Sequence, residues 1–513
     1  MNPNLTTRRN FLAGSLSTGA ALPLAHLSWV LKLPPVRAED LKPLTGLQNS
    51  GQRVSELVQL IESVERKNLI EAVASRIVSG TSYRDLLAAL MLAAVRNVQP
   101  HPSVGFKFHA VLVVHSAHLA TVSGPDSERW LPFFWALDYF KGRQEEEQRV
   151  SGWTMKPLSE SRIPSPSKAK EQFIAAMDRW DVEAAECAAA GLARGLGGNE
   201  VFELFFRYAA RDYRSIGHKV IYVANSWRTL QLIGWQHAEP ILRSLTAALL
   251  NHHGEPNPSE SDLDVDRPWR ENQPRAASLR QNWLEGSFDP QAVGTLIETI
   301  RESSPTEASE AAAKLIEGGQ SPQSVWDAVF LGAGELLMQQ PASIIGLHAM
   351  TTANAMRQAF IHCADDGIRR RLTLQACSFL PMFRKSAEGR GKVRKRTLTQ
   401  LIPDQADGTA DPKTLQDILR NISRNRDQAA GLTLGWRANG GSAEAIIDAT
   451  RRLVFLKGND AHDYKFSSAV LEDYYQVSPD LRDRFLALSI YNLIGSESPD
   501  NAIVKRIRNA LPG

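Results

Sequence analysis

The chain has 513 residues, 43% of them hydrophobic and 22% charged, with 59 Lys and Arg against 56 Asp and Glu. That apolar content supports a large core and argues against disorder for most of the chain. The near balance of charge argues against nucleic acid as the main partner, because such binders concentrate unopposed cations. The three cysteines, Cys187, Cys363 and Cys377, are too few for a disulfide framework, and none sits in a CxxC or CxxCH pair.

The N-terminus reads Thr7-Arg8-Arg9-Asn10-Phe11-Leu12, followed by an Ala-, Gly- and Leu-rich stretch through Ala25. This resembles a twin-arginine export signal, with Val36-Arg37-Ala38 as a small-residue cleavage site. The resemblance implies that residues 1–38 are a signal peptide and that the mature chain is periplasmic or otherwise exported, with the Tat translocase as partner during export. The twin-arginine route carries proteins that are already folded, many of them with a cofactor in place. No later run reaches the ~18 apolar residues of a membrane span, so the mature chain should carry no stable one.

Beyond the signal, apolar residues recur with helical rather than alternating spacing. Tyr83–Val98, Val201–Tyr213, Trp227–Leu250, Val325–Gln339, Ile344–Ala364 and Ala469–Leu493 each read as one helix, and the fold as mostly α. Two polar stretches, Asn251–Arg275 and Lys385–Asp411, read as loops. The second holds a basic run from Arg390 to Arg396, suited to an anionic partner or to a solvated surface. Three times an acidic residue near the start of an apolar helix is followed by a turn and then a helix with one histidine: Asp85 before His109, Glu203 before His218, and Asp327 before His348. This pattern predicts degenerate helix-pair repeats in two related helical halves, 39–255 and 276–513, joined by a linker at 256–275.

The histidines carry the candidate chemistry. His109, His115 and His118 cannot all ligate one ion from a single helix, since His109 and His118 lie about 180° apart at 100° per residue. Helical metal proteins instead collect ligands from several facing helices. His109, His218 and His348 suit that arrangement, and His462, three residues before Lys465, adds a fourth imidazole. The alternative for each is a satisfied core residue, as in an exported helical-repeat scaffold or binding protein without catalysis.

The segment Leu347-His348-Ala349-Met350-Thr351-Thr352-Ala353-Asn354-Ala355-Met356-Arg357 resembles the LH-x-(V/M)-T-x-x-x-A-x-R segment of the questin oxidase-like proteins. The stretch from His462 to Lys465, with Ala469-Val470-Leu471 after it, is similar to that family's late His/Lys region. The resemblance implies a helical dioxygen-using oxygenase acting on an aromatic or quinone-like small molecule, with one non-haem Fe(II). The iron would be held by several histidines and one lysine carboxylated on its side-chain nitrogen. Lys465 is the candidate for that lysine, with Lys457 and Lys219 as rivals; a zinc site serving hydrolysis is the alternative metal reading.

Second partners are needed to fix imidazole tautomers. Asp85, Glu203, Asp327, Asp460 and Asp463 are candidates, with helix capping as their other role. Trp227, Trp235 and His237 share an expected helix, and Asn225 lies seven residues after His218 on the same face; the four are candidates for a substrate pocket, or for a helix–helix seam. No GxSxG elbow is present, and Gly195-Leu196-Gly197-Gly198 lacks the GK[ST] and preceding strand of a phosphate loop.

Overall fold

The computed structural model describes residues 47–100, 108–250, 254–257, 260–404 and 410–510. The expected signal peptide, and residues 251–253 and 405–409 of the two polar stretches, lie outside them. The described residues form 22 α-helices and a few 3-10 turns, with one isolated bridge between Ser287 and Gln320 and no strand. The chain is all-α, as the periodicity predicts. Residues 53–513 form one compact unit. No described helix is long and apolar enough to cross a membrane.

Four helices organise this unit: α1 (His109–Ser123), α2 (His218–Ile233), α3 (Ile344–His362) and α4 (Ala461–Asp473). Each packs against the next, α1 on α2, α2 on α3, α3 on α4 and α4 back on α1, which closes a ring. Helices α1, α2 and α3 are buried on almost every side, which is why their sequences show an all-round apolar character instead of a stripe. Tyr83–Asn97, Trp130–Val150, Gly198–Ala209, Pro322–Gln339 and Asp366–Glu388 cover the ring from outside.

Several expected boundaries shift for identifiable reasons. The single helix expected over Trp227–Leu250 breaks at Gly234, whose φ of +108° is open to glycine alone, and resumes as Ala238–Leu249. The helix expected over Ala469–Leu493 is two, Ala461–Asp473 and Arg482–Ser489, with Pro479 opening the turn between them. The segment expected as a linker contains the start of a helix, Arg267–Ser278, whose buried Asn272 donates to Gln375 Oε1 at 2.8 Å and Ser378 Oγ at 3.1 Å. Lys385 belongs to the helix Asp366–Glu388 and not to the loop after it.

Candidate metal centre

His109 and His218 are the first residues of α1 and α2, His462 is the second of α4, and His348 lies one turn into α3. Local chemistry sets three of these starts. Gly217, at a φ of +82°, turns the chain into α2 so tightly that a Cβ there would collide with the Thr352 hydroxyl of α3. Ser343 caps α3 through the N–H groups of Ile345 and Gly346, and Asp460 caps α4 through the N–H of His462.

One ligand atom from each of the four histidines lies within 4.8 Å of the others. His218 Nε2 is 3.0 Å from His348 Nε2 and 3.3 Å from His109 Nε2. Nitrogens bound to one metal at about 2.1 Å are separated by roughly 3.0–3.4 Å at angles between 90° and tetrahedral, so both distances suit a shared ion. The Nδ1 atoms face fixed acceptors: Ser215 O at 2.7 Å for His218, Ile344 O at 2.6 Å for His348, and Asp460 Oδ1 at 2.6 Å for His462. Each contact places the proton on Nδ1 and leaves a lone pair on Nε2. His462 Nε2 is buried with no hydrogen-bond partner.

Burial, then the Lys465 charge, holds His109 and His218 well below the ordinary imidazole range; for His348 the neighbouring His218 and Lys465 follow burial. Burial also lowers His462, against the opposing pull of Asp460. All four are therefore neutral at pH 7, the state in which imidazole binds a metal.

Lys465 is 2% exposed, its Nζ has no hydrogen-bond partner, and burial pulls its ammonium down to about 7. Its charge acts on all four histidines. The rival lysines are engaged elsewhere: Lys457 pairs with Asp500 at 2.7 Å, and Lys219 pairs with buried Asp212 at 2.8 Å.

Of the acidic candidates, Asp460 alone bonds to one of the four imidazoles. Asp463 completes the capping box of α4 by accepting from the N–H groups of Asn459 and Asp460. Asp327 is fully buried but anchors Ser478, through its N–H at 3.0 Å and hydroxyl at 2.6 Å. Asp85 sits in the first turn of Tyr83–Asn97 beside its cap Ser82, and Glu203 accepts from the Ala364 N–H at 2.7 Å. None of these four bonds to one of the four imidazoles: Asp463, Asp327 and Glu203 satisfy helix-terminal or loop N–H groups instead, and Asp85 stands at a helix start.

The four residues expected around a pocket do not stay together. Asn225 lines a small cavity together with His115, Arg228, Thr351, Asn354 and Lys465. Trp227 instead packs on Phe202 with ring centroids 4.6 Å apart, and Trp235 donates to Ala193 O at 3.0 Å. Trp235 and His237 fall beyond the Gly234 break, in a 3-10 turn, so they do not continue the face that holds Asn225. Arg228, Thr351 and Asn354 carry no pocket signal in the sequence, yet the cavity residues follow a register. Relative to each histidine they stand six residues on in α1 (His115), ten in α2 (Arg228), three and six in α3 (Thr351, Asn354) and three in α4 (Lys465). The four helices thus run from the histidines in one sense, and the cavity lies further along the same interior.

The fold and site define an all-α protein with a buried four-histidine cluster able to hold a metal ion. Compared with family models, with curated proteins and with solved structures, the chain matches none.

Proposed function

We propose that the protein is a non-haem iron-dependent oxygenase acting on an aromatic or quinone-like small molecule, with iron held by His109, His218, His348 and His462. The observation that carries the reading is the gathering of one ligand atom from each of the four histidines within 4.8 Å, with the Nε2 lone pairs of His218, His348 and His462 left free by their Nδ1 contacts. A bound Fe(II) would supply a site at which dioxygen and an electron-rich substrate meet.

The roles of the chain's own residues follow. Asp460 holds the His462 tautomer and raises its donor strength. Lys465, neutral in a large fraction at pH 7 because its ammonium is pulled to about 7, has the free amine needed to add to CO2. That addition forms an N–C bond and releases one proton from the nitrogen, leaving a carbamate oxygen as a fifth donor. The helix starts around the site favour such a negative group, because helix N-termini carry partial positive charge. Asn225, Arg228, Thr351 and Asn354 offer polar contacts beside Lys465. A twin-arginine signal at residues 7–12 would suit this reading, since that route carries chains already folded, some of them with a cofactor bound.

The test is dioxygen consumption by the iron-loaded protein across a panel of phenols, hydroxyquinones and quinones. Uptake that requires both iron and one substrate class supports the oxygenase. A zinc-loaded protein that hydrolyses esters without taking up dioxygen refutes it. A folded chain that takes up no metal leaves the helical scaffold.

A further inference from the structure

Outside the histidine ring, a groove of about 1180 Å³ lies where the end of Pro290–Glu302, the start of Pro305–Glu317 and the last turns of Asp366–Glu388 meet residues 393–397. It contains most of the basic run that the histidine site leaves without a role. Four of its arginines have carboxylate partners: Arg267 meets Asp262 and Asp264, Arg301 is gripped by Glu335 at 2.6 and 2.8 Å, and Arg394 and Arg396 face Asp427.

Three cations are left over. Lys385 reaches only Asp264, at 3.5 Å and in an exposed pair. Lys395 is exposed and forms no ion pair among the described residues. Arg384 is half-buried, and its Nη1 donates only to the Ile300 carbonyl, at 3.2 Å. A guanidinium taken partly out of water without a carboxylate is costly, and burial lowers its basicity. Beside it the Ser303 hydroxyl is buried with no hydrogen-bond partner. The groove's acids, Asp264, Glu302 and Glu388, are all exposed, whereas Arg384 is half-buried and in no ion pair among the described residues, so the unpaired positive charge at depth is that of Arg384.

We propose that this groove binds a compact soluble ligand carrying two or more phosphoryl groups, with Arg384 and Lys395 as its cationic contacts and Ser303 as a hydroxyl donor. Phosphoryl oxygens accept from several directions, which suits donors on separate elements. The exposed acids and a whole-chain charge of +3 oppose an extended polyanion such as nucleic acid.

The experiment is calorimetric titration of the full chain with sodium tripolyphosphate and, separately, orthophosphate at constant ionic strength. Wild type, Arg384→Gln, Lys395→Gln and the remote surface change Lys170→Gln are compared. The expected result is saturable tripolyphosphate binding, much tighter than orthophosphate, weakened about tenfold by each groove change, as for one lost charge-assisted hydrogen bond. Lys170→Gln should bind as wild type does. Absence of binding, or unchanged affinity in Lys395→Gln, overturns the proposal; that change removes no internal ion pair, so misfolding does not account for it. A short single-stranded DNA binding more tightly than tripolyphosphate overturns the compact-ligand assignment.

Discussion

The Nε2 atoms of His218 and His348 stand 3.0 Å apart while both Nδ1 atoms rest against backbone carbonyls. With the protons on Nδ1, two lone pairs face each other, an arrangement that repels unless a proton or a cation lies between them. Burial and the Lys465 charge disfavour the proton. A metal ion at this point removes the conflict. Metal binding should therefore raise the unfolding temperature of the chain, by the mass-action gain of a ligand that binds the folded state. Thermal unfolding with and without a chelator checks this; identical curves for metal-loaded and chelated protein contradict it.

Asp460→Asn tests how the fourth histidine is held. Asparagine keeps the cap of α4, so stability should change by less than about 1 kcal/mol. It removes the charge from the 2.6 Å contact to His462 Nδ1, and metal affinity should fall about 10–100-fold. Competition against a chelator of known affinity measures the drop.

Gly217→Ala tests the entry to α2. The residue's φ of +82° and the Thr352 hydroxyl in the path of a Cβ both oppose alanine. Destabilisation of about 1–3 kcal/mol is expected, together with weaker metal binding, because His218 follows directly. Denaturant unfolding and metal titration on one sample separate the two effects.

Lys465→Met should leave a folded chain, since it removes a buried amine with no hydrogen-bond partner. In wild type incubated with 13C-labelled bicarbonate and metal, a carbamate carbon resonance is expected, and it should vanish in Lys465→Met. A resonance that persists in the variant assigns the carboxylated lysine elsewhere.

Asp473 gives a pH prediction away from the metal. It is buried, its Oδ2 has no partner, and burial followed by the charge of Glu472 pushes its carboxyl well above the ordinary range. An acid raised in the folded state favours folding most below its unfolded value of 3.8 and loses that contribution as pH climbs through the raised value. Each unit of the rise is worth about 1.4 kcal/mol. Asp473→Asn, which keeps an acceptor for the 2.7 Å bond from Asn354, should stabilise the protein at neutral pH and flatten this loss. Denaturant unfolding across acid to neutral pH checks the slope.

Each of the four histidines sits at or near a helix start, and for His218, His348 and His462 the residues Gly217, Ser343 and Asp460 leave local signatures there. Lys465 was readable from its spacing to His462. The acidic candidates were not, because an Asp near a helix start looks the same whether it turns to an imidazole, as Asp460 does, or to Ser478, as Asp327 does. The pocket failed at Trp235 and His237 for a backbone reason: one glycine at positive φ breaks the face that periodicity extends. Arg228 and Asn354 looked like ordinary helical polar residues; only the closed ring makes them interior, where both contact Glu472.

The most direct test of the central claim is metal content by mass spectrometry of folded wild type and His348→Ala, each loaded with Fe(II) under anaerobic conditions and desalted. About one iron per wild-type chain, lost from a variant that remains helical by circular dichroism, is the predicted result. No retained metal in folded wild type, or the same iron content in His348→Ala, would contradict it.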